Sequence, residues 1–409
     1  MIIFFYFKKP TRVMRKEFGF AYEHKFDAVP DNNEQIPFDK VYYSTPSDFN
    51  NHLKHIKEQM GKEMPEIRII DPPKIVNRPE FPVHIGFQNL QEALEPYKGR
   101  PSVSLAVLNA MSNALGDHLI GMQAFDYWAD KVRELLPGTT VDITLYQLNP
   151  YRVGPITKQW QAKFSKIFML PNRLSRFMDH DGFVDLGTLL LREDFDTQPM
   201  IDFFYQAMSI DPDTVPVERK RIKYTLKDET VAKCKNILHN IRALGRPILM
   251  FHHTSTSPIR GMSHARARQF ITEIIKKTDY FVVSACGLEH HDKRFMNLAN
   301  YSETFDDFCT FISMMDAIIT VDTSTYHVSD AFDVPTVALF TTINPDFRTR
   351  YYPYVESIML EEKDGQLYGR HKASENEEAK SKEIEYVEEK WANLDVEDVL
   401  SALETAKKR

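Results

Sequence analysis

Three polar loops in this sequence combine carboxylate, hydroxyl and cationic side chains that suit chemistry on phosphates and hydroxyl groups. Each loop follows an apolar run of strand length and precedes a segment with helical character. In parallel α/β sheets, ligands bind beyond the carboxyl ends of the strands, where the amino ends of helices point towards them. We therefore expect these loops to line a ligand site.

The first loop spans residues 113–118 and contains Gly116 and Asp117. Gly116 permits a tight turn or the close approach of a ligand to the backbone. Asp117 is a carboxylate held at a strand end, which makes it a candidate general base. Because Asp is also a favoured N-cap residue, simple helix capping is the alternative explanation.

The second loop, residues 252–260, offers four consecutive hydroxyl side chains and then Arg260. Hydroxyl groups donate to phosphate oxygens, and a guanidinium is a permanent cation that binds them bidentately. A polar loop with local hydroxyl-to-backbone turns is the alternative. Neither His252-His253 nor His290-His291 has a carboxylate or cysteine at a ligand spacing, so we predict no metal site.

The third loop begins at Asp322 and continues through Thr323, Ser324 and Thr325 into a helix that carries His327. Backbone N–H groups and hydroxyls in this arrangement would hold a diphosphate at the amino end of the helix. Asp322 and His327 also fit structural roles, as a helix cap and as a packed side chain.

The elements that must position these loops form two α/β series, beginning with the strands at 103–108 and 248–251. Strands alternating with helices predict two doubly wound parallel sheets. The predicted parts are an accessory α+β segment at 1–100, a Rossmann-like domain at 101–230, a second at 245–362, and a charged tail with a C-terminal helix at 363–409.

The composition describes an ordinary globular protein of two or three domains, with 409 residues, 43% of them hydrophobic and 27% charged. A formal net charge of −7 argues against nucleic-acid binding. The 15 glycines, about half the usual share, argue against several glycine-rich phosphate loops. Residues 361–409 hold 14 acidic and 9 basic side chains, which leaves the rest of the chain free to form a cationic pocket.

The cysteines and the apolar runs bear on where the protein works. Cys234, Cys286 and Cys309 are widely separated, which predicts buried thiols without disulfides. The sequence shows no secretory signal and no transmembrane stretch of about 20 apolar residues. We therefore expect a cytoplasmic protein and leave peripheral membrane contact open.

Taken together, the three loops resemble the heptosyltransferase-like glycosyltransferases of family 9, the ADP-heptose:lipopolysaccharide heptosyltransferases and their relatives. That family's Gly-Asp motif before an aliphatic helix start is matched by residues 115–120, and its loop with hydroxyl residues and Pro-x-Lys by residues 252–260. Its Asp-Ser/Thr-Gly-x-x-His motif, with a later Pro and a strand ending in Leu-Phe, is matched by residues 322–340. Arg260 replaces the usual Lys and Ser324 the usual Gly.

The resemblance implies the GT-B fold, in which two Rossmann-like domains face each other across a cleft, with residues 1–100 as an extra N-terminal α+β segment. It also implies inverting transfer of a sugar from a nucleotide-diphospho-sugar, without a cofactor or an essential metal, and with Asp117 as the base. The donor-binding residues would be Thr256, Ser257, Arg260, Asp322, Thr323, Ser324, Thr325 and His327. The acceptor-binding residues would be Asn113, Gly116 and His118, with 179–181 as a further contact.

Several functions stay open at this point. The sugar, which would be heptose in the family's best-known members, is not fixed, and the acceptor is a lipopolysaccharide, another surface glycan, a glycolipid or a protein. A nucleotide-sugar epimerase or hydrolase of the same fold and a catalytically silent binding or assembly protein are the alternatives. A nicotinamide dehydrogenase is disfavoured because no GxGxxG follows a strand.

Overall fold

The computed structural model describes residues 2–5, 41–43, 67–70, 81–109, 114–147, 150–170, 172–187, 189, 192 and 195–409. The chain divides into two compact units. The first contains Met1–Phe195 and Met200–Arg219, and the second contains Asp196–Pro199 and Lys220–Arg409. Each unit contains one of the two predicted parallel sheets.

The described strands of the first unit are β1 (Ile2–Phe5), β2 (Val41–Tyr43), β3 (Ile67–Ile70), β4 (Val83–His84), β5 (Ser102–Asn109), β6 (Thr140–Gln147), β7 (Lys166–Met169), β8 (Asn172–Arg173) and β9 (Gly182–Asp185). Its described α-helices are α1 (Leu90–Leu94), α2 (Leu115–Leu135), α3 (Pro150–Lys158), α4 (Leu174–Phe177) and α5 (Met200–Ala207).

The main sheet of the first unit is parallel and has the strand order β4-β9-β5-β6-β7. In the first predicted α/β series, β5 pairs in parallel with β6 and α2 lies between them in the chain. On α2, Met122, Phe125, Ala129 and Val132 recur at helical spacing and are fully buried.

Residues before position 101 contribute to both sheets of the first unit. A second sheet has the order β3-β1-β2-β8, with β8 antiparallel to β2. β4 instead pairs with β9 in the main sheet, although it precedes the predicted domain boundary. β4 has only two residues, both exposed, and therefore no apolar periodicity from which the sequence could assign it to the main sheet.

The strands of the second unit are β10 (Ile248–His252), β11 (Phe281–Ser284), β12 (Phe295–Asn297), β13 (Ala317–Val321), β14 (Thr336–Phe340) and β15 (Val355–Met359). Its α-helices are α6 (Asp228–Arg242), α7 (His264–Lys277), α8 (Phe305–Ser313), α9 (Ser324–Asp330), α10 (Asp346–Thr349), α11 (Glu377–Asn393) and α12 (Val396–Lys407).

The sheet of the second unit is parallel throughout and has the order β12-β11-β10-β13-β14-β15. From β10 the chain continues through β11 and β12 to one edge of the sheet. It then returns to β13, beside β10, and continues through β14 and β15 to the other edge. β10 and β13 are therefore the neighbours at which the strand order reverses, which is where open α/β sheets bind ligands.

The charged tail is an integral part of the second unit, although the sequence set it apart as residues 363–409. Trp391, Val396, Val399 and Leu403 are fully buried in the same core as the central strands. The indole N–H of Trp391 donates to the Gly261 carbonyl at 2.8 Å. The helical periodicity of Leu394, Val396, Val399, Leu400 and Leu403 predicts this packing of the last helix, whereas the charged segment before it indicates a solvated surface.

Candidate functional site

Two of the predicted loops leave the second sheet side by side at the strand-order reversal. In the register of β10 and β13, His252 lies opposite Thr320, so both chains leave the sheet at the same edge. The hydroxyl of Ser255 donates to the backbone carbonyl of Asp322 at 2.9 Å. The second and third loops therefore form one connected surface at the carboxyl edge of the sheet.

A partly buried ion pair joins the two loops. Nη1 of Arg260 donates to Oδ2 of Asp322 at 3.0 Å, and the two side chains are 19% and 4% exposed. Nη2 of Arg260 donates to the hydroxyl of Thr256 at 2.9 Å. Burial opposes ionisation of Asp322, but Arg260 and Arg348 outweigh it and hold the pKa of this carboxyl below its usual value.

The carboxylate of Asp322 is occupied by protein donors on both oxygens. The hydroxyl of Tyr326 donates to Oδ1 at 2.8 Å, while Arg260 takes Oδ2. This arrangement fits a carboxylate that fixes the direction of the guanidinium. The Nε–H of Arg260 is buried and has no hydrogen-bond partner among the described residues.

The remaining third-loop residues divide into a half-buried rim and a buried core. Thr323 has extended backbone ahead of α9, and it and Ser324 are half-buried. The Thr325 hydroxyl is buried and hydrogen-bonded to Nδ1 of His252 at 2.9 Å. Thr323 and Ser324 are thus the accessible members of the predicted diphosphate loop.

His327 lies inside the unit, away from the accessible rim. Its Nδ1 is hydrogen-bonded to the Tyr352 hydroxyl at 2.8 Å, and it is 3% exposed. Burial, assisted by Arg348, lowers its pKa to about 3, so it is neutral at physiological pH. The structural role that the sequence left open for His327, holding the helix, fits this position.

The chain after β15 returns to cover the second loop. The backbone N–H of Ala373 donates to the buried hydroxyl of Ser257 at 3.2 Å. Beside it, loss of hydration lowers the pKa of Lys372, Glu375 raises it, and Arg260 lowers it further. Two cations, Arg260 and Lys372, therefore lie near each other at this edge.

Arg348 is a buried cation that acts electrostatically on Asp322 of the third loop. Its Nη1 donates to Asp196 at 2.8 Å, and His371 pairs with the same carboxylate. Burial opposes the charge on each partner, but Arg348 and His371 hold the pKa of Asp196 well below its usual value, and Asp196 raises that of Arg348. Asp196 is 152 positions from Arg348 and no sequence pattern links them.

The first predicted loop lies in the first unit, at the start of α2. The N-cap residue is Ala114, so Asp117 is the third residue of the helix rather than its cap. Asp117 is half-buried and Gly116 is buried. Asn113 lies outside the described residues.

His118 is buried in the core of the first unit, which corrects the expectation that it faces an acceptor. It is 1% exposed, and its Nε2 is hydrogen-bonded to the Thr157 hydroxyl at 3.0 Å. Burial lowers its pKa to about 3. A ring enclosed in this way helps to fix α2 against α3.

The segment 179–181 is held by hydrogen bonds and an ion pair within the first unit. The His180 ring is hydrogen-bonded to the hydroxyls of Ser104 and Tyr146, at 2.8 Å and 2.9 Å. Asp181 pairs with Arg100 and accepts from the backbone of Ser104. Because this segment precedes β9, it lies at the amino edge of the sheet, opposite the edge where ligands bind in such folds.

Within the described part of the chain, no group of three or more His, Cys, Asp or Glu side chains is arranged to hold a metal ion. No described helix is long and apolar enough to cross a membrane. The predictions of metal independence and of a cytoplasmic location stay predictions.

Comparison with known proteins finds similarity to glycosyltransferases. Residues 199–380 match the sequence model of glycosyltransferase family 9 (heptosyltransferase). This range includes the second and third loops, so the predicted resemblance is confirmed there. The comparison with curated protein sequences gave no match.

Three solved structures illustrate this similarity. The Escherichia coli ADP-heptose lipopolysaccharide heptosyltransferase II is 14% identical, with 71% of this chain and 98% of that chain covered and a TM-score of 0.48. A family 9 glycosyltransferase from Veillonella parvula is 16% identical, with 74% and 97% covered and a TM-score of 0.49. The iron-containing dodecameric glycosyltransferase TibC from E. coli is 10% identical, with 76% and 78% covered and a TM-score of 0.48.

Proposed function

Because residues 199–380 match the heptosyltransferase family, we propose that this chain transfers a sugar from a nucleotide-diphospho-sugar to an acceptor hydroxyl, with inversion at the anomeric carbon. The observation that carries the proposal is Arg260 at the strand-order reversal of the second sheet. It is fixed there by Asp322 and Thr256, and its side chain keeps 19% of its surface exposed. We expect a phosphate oxygen of the donor to bind this cation.

Transfer requires the diphosphate to leave with its negative charge stabilised. Arg260 meets this requirement, and Lys372 adds a second cation near it. Two like charges in a partly dehydrated place repel each other, and a dianionic ligand relieves that repulsion. The half-buried rim at Thr323 and Ser324 supplies backbone N–H groups and hydroxyls to the same phosphates.

The acceptor hydroxyl needs a base as it attacks. We assign this role to Asp117, a half-buried carboxylate in the first turn of α2, which begins at the carboxyl end of the central strand β5. The chemistry then needs no metal, because cationic side chains stabilise the leaving group. The family's description favours heptose as the sugar. We propose a lipopolysaccharide or related surface glycan as the acceptor.

The experiment that tests the proposal is a thermal-shift screen of the full chain against nucleotide-diphospho-sugars. Mass spectrometry then follows what the best donor modifies in acceptor mixtures. A glycosylated acceptor is the expected result. Conversion of the donor without any acceptor indicates the epimerase or hydrolase alternative, and donor binding without turnover indicates the catalytically silent one.

A further inference from the structure

Tyr326 is a buried tyrosine in the first turn of α9, and its hydroxyl reaches back to the third loop. It is the third residue of this helix and is 1% exposed. Its hydroxyl donates to Oδ1 of Asp322, four positions earlier, at 2.8 Å. The motif that identified the third loop specifies Asp322 and His327 but not position 326, so the sequence did not single out this tyrosine.

The core holds the Tyr326 ring independently of Asp322. The centroid of the ring lies 4.2 Å from that of His327 and 5.6 Å from that of Phe340, the last residue of β14. Close packing in a protein interior restricts the orientation of such a ring. Its hydroxyl is therefore a donor at a fixed place, towards which the carboxylate of Asp322 turns.

The hydrogen bond from Tyr326 limits rotation of the Asp322 carboxylate. A carboxylate that is held through one oxygen alone can turn about its Cβ–Cγ bond, because that torsion has a broad minimum. Tyr326 occupies Oδ1, and Oδ2 accepts from Nη1 of Arg260 at 3.0 Å. Nη2 of the same guanidinium donates to the hydroxyl of Thr256 at 2.9 Å. These groups form one continuous series of hydrogen bonds from the core to the second loop.

The protonation states suit this series. Burial opposes the charge on Asp322, but Arg260 and then Arg348 hold its pKa below the usual value, and the hydrogen bond from Tyr326 acts in the same direction. Burial, together with the charge of Asp322, raises the pKa of Tyr326 well above its ordinary value. The tyrosine therefore keeps its proton at physiological pH and donates it to an ionised carboxylate.

We propose that Tyr326 is a positioning residue of the donor site, which orients the carboxylate of Asp322 and, through it, the guanidinium of Arg260. Its consequence for the donor rests on the proposed function, in which Arg260 binds the diphosphate. Because Tyr326 is buried, it acts through Asp322 and offers no surface of its own to a ligand.

Tyr326→Phe tests the proposal, because it removes only the hydroxyl and keeps the aromatic ring in the core. Tyr352→Phe is the matched control, since the Tyr352 hydroxyl is also buried and makes a hydrogen bond of 2.8 Å, but to Nδ1 of His327 rather than to Asp322. Circular dichroism establishes that both variants of the full chain are folded. A role confined to the packing of α9 would make the two variants behave alike.

The first measurement needs no donor. NMR of the arginine-labelled chain gives the rate at which the Arg260 guanidinium rotates about its Nε–Cζ bond, and the absence of the signal in Arg260→Met identifies it. We expect this rotation to be about 3–10-fold faster in Tyr326→Phe than in the wild type, and unchanged in Tyr352→Phe. An unchanged rate in folded Tyr326→Phe, or an equal increase in both variants, overturns the proposal.

The second measurement is calorimetry with ADP, UDP, GDP and CDP, each tested separately. Tyr326→Phe should bind the nucleotide that the wild type prefers about 3–10-fold more weakly, and Tyr352→Phe should bind it as the wild type does. Equal affinity in all three proteins contradicts the proposal. If the wild type binds none of the four, the proposed function fails, and the rotation of the guanidinium alone decides whether Tyr326 positions Arg260.

Discussion

The pair between Arg260 and Asp322 should be worth a measurable coupling free energy, because it is largely withdrawn from water. The two charged groups are 3.0 Å apart, and their side chains are 19% and 4% exposed. Charge-assisted hydrogen bonds contribute about 1.5–3 kcal/mol, and partial exposure of the guanidinium reduces this. We therefore expect a coupling of about 1–2 kcal/mol in a double-mutant cycle with Arg260→Met and Asp322→Asn.

The single variants should differ in cost. Asp322→Asn should cost about 2–4 kcal/mol, because it leaves Arg260 and Arg348 facing a neutral buried amide. Arg260→Met should cost less, since Tyr326 still donates to the carboxylate that remains. Urea denaturation followed by circular dichroism measures all four free energies of unfolding.

An exposed pair of similar length provides the control for this cycle. Arg246 and Asp279 are 2.8 Å apart, but their side chains are 40% and 88% exposed. Surface pairs of this kind couple by about 0.2–1 kcal/mol or less. If the Arg260–Asp322 coupling does not exceed that of Arg246–Asp279, the pair does not organise the two loops.

Three further predictions concern chemistry and protonation. Asp117→Asn should lower sugar transfer by about 10²–10⁴-fold with donor affinity in calorimetry nearly unchanged, and near-normal turnover would remove Asp117 from the role of base. The ring signals of His327 in NMR should stay those of a neutral imidazole from pH 8 to 5, since its pKa is lowered to about 3. An unfolded histidine takes up its proton near pH 6.5, whereas the buried ring does not, so the free energy of unfolding should fall as the pH drops below about 6.5. Titration of the folded ring near pH 6.5 would contradict the assignment. Prolonged dialysis against EDTA should leave turnover unchanged, whereas loss restored by one added metal would refute metal independence.

The sequence predicts the four central strands of the second sheet well, because each is a nearly continuous buried run. The edge strands β12 and β15 are mostly half-buried and carry no such run. The adjacency of the second and third loops also followed from the sequence, since carboxyl ends of parallel strands share one edge. These inferences used local patterns and one rule of topology.

The contacts that complete the site came from positions far apart in the chain. Asp196 under Arg348, and Lys372 near Arg260, lie 152 and 112 residues from their partners. A single sequence has no periodic signal for such pairs. The position of His118 was predicted wrongly for a related reason. The sequence of a helix does not show that a buried hydroxyl, here that of Thr157, is available as a partner for a polar residue.

The central claim is that Arg260 binds the diphosphate of the donor, and calorimetry with nucleoside diphosphates tests it most directly. The wild type should bind the nucleoside diphosphate of the donor found in the thermal-shift screen. Arg260→Ala, shown by circular dichroism to be folded, should bind it about 10–100-fold more weakly, the equivalent of one charge-assisted hydrogen bond. Arg246→Ala, the exposed control, should bind as the wild type does. Equal affinity in the wild type and Arg260→Ala would contradict the account.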